Sequence, residues 1–109
     1  MLLTLDEIKM QCRLEPDFTE EDRLLELLAL AAEAKATTYL NRNLYKTLDE
    51  IPETDTDGMV ITEDIRLGLL LVVCHWYENR SSVTEIEKTE TPQAFEFLLY
   101  PRRLPVSGF

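Results

Sequence analysis

Few residues in this sequence could do chemistry, and their spacing decides how far each goes. His75 is the single histidine. Cys74 precedes it, but adjacent helical residues do not share a face, so the pair reads as packing and not as a nucleophile with its base. Glu26 and Glu33 are spaced to lie on one helix face. With no histidine beside them they read as a solvated strip. Gly58, Gly68 and Gly108 are too scattered to cradle a phosphate. Glu53-Thr54-Asp55-Thr56-Asp57-Gly58, followed by Asp64, comes close to calcium-loop spacing, with alternating carboxylates ahead of a turn glycine. It departs at both ends: Glu53 stands where Asp is usual, Asp64 is too short to close the shell bidentately, and Pro52 sits where an incoming helix should end. A solvated acidic loop is the stronger reading, helped by the lack of any Lys or Arg between Lys46 and Arg66. Cys12 and Cys74 fall on apolar helix faces and read as buried free thiols, because a reducing compartment disfavours a disulfide and two Cys with one His lack a four-ligand zinc pattern. The sequence thus predicts no catalytic residue, no metal site and no cofactor.

The elements that carry these residues are helical. Thr62 has the chemistry of an N-cap, and Glu63 and Asp64 put negative charge on the first turn. A helix to about Arg80 then has Ile65, Leu69, Val72 and Trp76 on one face, Leu70, Val73 and Tyr77 on a second, and Leu67, Leu71 and Cys74 on a third. Only Asp64, Gly68, His75 and Asn79 are left as a stripe. A helix apolar nearly all round must be enclosed, and its run from Leu67 to Cys74 is far shorter than the roughly 20 residues of a membrane span. Ahead of it, Thr4-Leu5-Asp6-Glu7 is a capping-box pattern opening a short helix that Pro16 should end. Thr19 and Asp22 predict a second cap and a helix to about Asn41. Its polar strip is Asp22, Glu26, Glu33 and Thr37, while leucines and alanines cover the rest, including a small-residue row of Ala29, Ala32 and Ala36. That arc reads in two ways: packing inside the subunit against the central helix alone, or two uses, one inside the subunit and one between subunits. Residues 46–61 predict an irregular segment or loose hairpin, and Thr91-Pro92 a last short helix with Phe95, Leu98 and Leu99 inward, stopped by Pro101.

At 109 residues the chain is one domain with a modest core. The expected fold is an all-α bundle of about four helices with a long acidic loop. Its formal charge of −10 argues against a nucleic-acid-binding surface, which needs clustered Lys and Arg, while leaving room for an acidic wall that repels DNA. The first residues lack a signal-peptide pattern, so a cytosolic, untargeted chain is expected.

Three stretches resemble the small head-tail connector, or head-completion, proteins of long-tailed bacteriophages and prophages. They are Leu5-Asp6-Glu7-Ile8-Lys9 with Cys12-Arg13-Leu14-Glu15, then His75-Trp76-Tyr77-Glu78-Asn79-Arg80 ending a long apolar helix, and Pro92 followed by Leu98-Leu99-Tyr100-Pro101-Arg102-Arg103. The last is similar to that family's closing Leu-Leu-x-Pro-aromatic-Arg, with the aromatic residue here ahead of the proline. The resemblance implies an all-helical subunit of a ring, of dodecameric type in the virion, joining portal protein to tail-completion protein. DNA would pass through the lumen without specific binding, and assembly would take place in the bacterial cytoplasm.

Under this reading, subunit contacts are expected at Ala29, Ala32 and Ala36 and at Gly68, His75 and Asn79. The basic and apolar tail, with Arg102, Arg103, Leu104, Val106 and Phe109, is expected to dock on portal or a neighbour, so that deleting residues 102–109 would leave the melting temperature nearly unchanged. The alternative is a dimeric cytosolic interaction or regulatory module without a ring; a calcium-responsive protein is the weaker rival.

Overall fold

The computed structural model describes residues 1–79 and 93–105. Four α-helices are found among them: α1 (Leu5–Gln11), α2 (Asp22–Leu40), α3 (Glu63–Glu78) and α4 (Gln93–Leu99). Two-residue strands β1 (Leu44–Tyr45) and β2 (Met59–Val60) and two 3-10 turns, Leu48–Glu50 and Tyr100–Arg102, complete the order. The fold is mostly helical, as expected; the small sheet was not.

The centre is α3, which packs against α1, α2 and α4. Ile65, Gly68, Leu69, Leu70, Val72, Val73, Cys74 and Tyr77 are buried, whereas Leu67 is 43% exposed and Leu71 and Trp76 are half-buried, so the subunit encloses most of the helix and leaves the Leu67 side open. At Gly68 α4 lies close: a Cβ there would be 2.7 Å from Leu99 Cδ1, so any side chain would have to push that methyl aside, while the α4 backbone at Phe95 Cα stays at 3.8 Å. Gly68 is therefore covered by the subunit's own α4.

At α1 the capping box is complete, with Glu7 N–H donating to Thr4 Oγ1 at 3.1 Å and Thr4 N–H to Glu7 Oε1 at 3.0 Å. The helix ends at Gln11, well before Pro16. Leu14 N–H reaches Lys9 O at 2.8 Å and Arg13 N–H reaches Met10 O at 3.3 Å, a Schellman pattern that needs a left-handed residue, here Arg13 at φ 61°. A side chain in that conformation costs about 1 kcal/mol relative to glycine. Arg13→Gly is accordingly expected to raise stability by about 0.5–1 kcal/mol in urea unfolding; a loss instead would mean that the Arg13 side chain makes a stabilising contact that outweighs the backbone.

The second helix starts at Asp22, with Glu21 as N-cap and no side-chain cap bond, so the Thr19 cap is not formed. Asp22 instead faces Lys9, whose Nζ lies 2.9 Å away. Lys9 is the one buried charged residue among those described, and this pairing is what makes its burial tolerable. The helix ends as expected, with Asn41 left-handed at φ 59°. Thr62 holds the N-cap position of α3, but its hydroxyl donates to Asp64 Oδ1 in place of capping a backbone N–H.

Of the two readings of residues 46–61, the irregular segment holds for 46–58, which contain one 3-10 turn, and the hairpin is overturned. β1 and β2 pair in parallel, Leu44 with Met59 and Tyr45 with Val60, so the intervening chain makes a full crossover. Local bonds explain the turn-back: Tyr45 Oη donates to Asp55 Oδ2 at 2.6 Å, Asn43 Nδ2 to the same oxygen at 3.0 Å, and Arg42 Nε to Asp57 O at 2.8 Å.

The expectation of two free thiols is overturned as well. Cys12 and Cys74 form a disulfide, with Cα atoms 5.3 Å apart. Compartment arguments speak to redox conditions and not to geometry; here α1 lies on α3 so that the two sulfurs meet.

Candidate functional site

The residues that suggested chemistry are spread out and engaged elsewhere. Glu33 is no solvated acid: its Oε2 accepts the N–H groups of Leu2 at 2.8 Å and Leu3 at 3.4 Å, pinning the N-terminal segment to α2. Glu26 is exposed. His75 is half-buried, and its backbone oxygen accepts from Asn79 N at 3.1 Å and Asn79 Nδ2 at 2.8 Å, so Asn79 closes the end of α3. In the acidic loop, the hydrogen bonds from Tyr45 and then Asn43 hold the Asp55 carboxyl below its usual range, and the same Asp55 contact raises the Tyr45 phenol. Asp55 is thus committed to side-chain donors, and among the described residues no three acidic, His or Cys side chains converge as a metal site would require.

Surfaces carry more information than pockets here. On α2, Leu25, Ala29, Ala32, Ala36 and Leu40 are fully buried in the subunit core. At about 3.6 residues per turn, Leu27, Leu30, Ala31 and Ala34 lie on the opposite side. Leu27 is 63% and Leu30 50% exposed, so α2 has a second apolar face that its own chain leaves uncovered. The width read from the sequence is real, and the small residues take the reading of packing inside the subunit: they face inward, where α3 comes close, and the leucines face out. Ala29, Ala32 and Ala36 have no surface to offer a neighbour. Further apolar exposure lies on α4 and its 3-10 extension, where Phe97 is 82% and Tyr100 66% exposed beside Tyr39 and Pro101.

The segment after α4 lies on its own subunit. Arg102 Nε stands 3.3 Å from Asp64 Oδ2, and Arg42 Nη1 donates to Arg102 O at 3.4 Å. Arg103 lies over the Tyr39 ring at 4.8 Å, a cation–π contact. Leu104 N–H donates to Leu40 O at 2.9 Å and Asn41 Nδ2 to Leu104 O at 3.1 Å, using a carbonyl that the end of α2 leaves free. The Thr62 hydroxyl, the Ile65 N–H and the Arg102 charge together hold the Asp64 carboxyl below its usual range. So Arg102, Arg103 and Leu104 strap the end of α2 to the start of α3. Val106 and Phe109 lie outside the described residues.

A model of the phage gp6-like head-tail connector protein family matches residues 2–103. The chain belongs to this family. No curated protein and no solved structure matches it. The connector is a phage structural protein, and its family is not a family of enzymes. Family membership implies a place in the virion among other phage proteins. No helix among the connector's described residues is long and apolar enough to cross a membrane. Of the residues expected at subunit contacts, the three alanines and Gly68 are inside the connector subunit, while His75 and Asn79 close the end of α3. Leu27 and Leu30 belong to the wide apolar arc read on α2 but were not among the expected contact residues; their spacing was the signal for an outer face.

Proposed function

We propose that the connector assembles into a closed ring between portal and tail, with DNA passing through its lumen, and that the outer face of α2 meets a neighbouring subunit. Family membership supports the place in the particle. The observation that carries assembly is the second apolar face of α2, Leu27, Leu30, Ala31 and Ala34, opposite the buried row. Left in water, an apolar strip of this kind adds nothing to the fold; covered by another subunit, it becomes a source of affinity. Contacts repeated around a closed rotation generate a ring. The formal charge of −10 fits a channel wall along which DNA slides without counterion release to hold it.

In native mass spectrometry, alone and with portal protein, the connector is expected at the mass of a closed ring in at least one condition. The double variant Leu27→Glu/Leu30→Glu should stay monomeric in both while melting within a few degrees of the wild type, because neither side chain belongs to the core. A wild type that is only monomeric or dimeric in both conditions counts against the ring. A double variant that assembles like the wild type removes α2 as the contact.

A further inference from the structure

We propose that Cys12 and Cys74 form a redox-dependent staple, open in a reducing cytoplasm and closed by exchange with a small-molecule disulfide once the protein leaves it. The change of compartment rests on the virion location implied by the family; the chemistry does not. Cys12 is the C-cap of α1 and half-buried, whereas Cys74 lies in the C-terminal half of α3 at 7% exposure. Their Cα separation of 5.3 Å is within the range a disulfide spans without backbone movement.

Other contacts hold this approach in place. Arg66 Nη1 lies 3.2 Å from Glu7 Oε1, Lys9 pairs with Asp22, Leu2 and Leu3 bond to Glu33, and Leu3 and Ile8 are buried in the core. The fold therefore brings the sulfurs together before any bond exists, and the bond adds constraint to a geometry already made. Neither cysteine stands at a helix N-terminus, the placement that activates catalytic thiols, so the pair suits a staple and not a turnover dithiol. Its positions are 62 residues apart, enclosing α2 and the strand crossover, so closing it restricts the unfolded chain strongly.

The step balances as follows. The more accessible Cys12, as thiolate, attacks one sulfur of the small disulfide and expels the other as a thiol, leaving a mixed disulfide. Cys74 then attacks the Cys12 sulfur and expels the second small thiol. Two protein thiols are oxidised, one small disulfide is reduced, and the two protons end on the released thiols.

Cells producing the full chain in a reducing bacterial cytosol, quenched in acid and alkylated with iodoacetamide in denaturant, should yield protein carrying two adducts. Purified reduced protein incubated with oxidised glutathione should yield none, with an unchanged circular dichroism spectrum and a melting temperature raised by roughly 10–20 °C. Cys12→Ser should melt with the reduced wild type and ignore the oxidant. The proposal is overturned if the cytosolic protein already lacks adducts, if oxidised glutathione leaves both thiols alkylatable, or if both redox forms melt together. These readouts use the isolated chain, so failure of ring assembly leaves them intact.

Discussion

Replacing Phe95 with alanine is expected to lower stability by about 3–5 kcal/mol in urea or thermal unfolding, the usual cost of emptying a large aromatic site in a core. Phe95 is 1% exposed and is the largest fully enclosed side chain among the described residues. It anchors a helix of only seven residues, Gln93–Leu99, which by length alone would be unstable in water. Its ring meets Tyr39 at a centroid distance of 5.8 Å and an interplanar angle of 55°, a tilted arrangement that adds to the area buried. Phe97, two residues on and 82% exposed, supplies the control: Phe97→Ala should change stability by less than about 0.5 kcal/mol. Equal losses at the two positions would mean that α4 is held differently from the packing described.

Ending the chain after Pro101 is expected to cost about 2–3 kcal/mol. The cut removes the Arg102–Asp64 pair, the Arg103 contact with Tyr39, and the two hydrogen bonds that join Leu104 to the end of α2. Each is modest, about 0.5–1.5 kcal/mol, and the exposed ion pair is worth least. Their sum is still a sizeable part of the 5–15 kcal/mol typical of a small domain. This reverses the expectation from sequence that loss of the tail would leave melting nearly unchanged. Thermal unfolding of the truncated and full chains decides it, and coincident curves would return the segment to the status of a free end.

The comparison of sequence with structure divides by distance along the chain. The Thr4 capping box and the end of α2 at Asn41 were legible because their bonds close within a few residues. The central role of α3 was legible because a helix apolar on every side has only one stable location. Which face of α2 turns inward was not, since periodicity finds two apolar faces and is silent about their order. The choice fell to closeness of approach, and alanines admit α3 where leucines would hold it off. Arg102 read as a charge seeking an outside partner because Asp64, its actual partner, is remote in sequence and belongs to another helix's first turn. The cysteine pair failed for the same reason, being 62 positions apart. The parallel strands fell below any period that two residues can display.

The arrangement of the other described helices around α3 also sets an order of events during synthesis. α1 and α2 leave the ribosome first, yet the surface that Ile8, Leu25 and Ala32 must cover is not yet made. At about 5–20 residues per second, translation from the end of α2 to the end of α3 takes a few seconds. Through that interval the segments of α1 and α2 have nothing to close on, and the inner and outer faces of α2 are equally available to a chaperone or to another nascent chain. The arrival of α3 ends this ambiguity by claiming the alanine face, so the leucine face becomes the outside only when the core is complete.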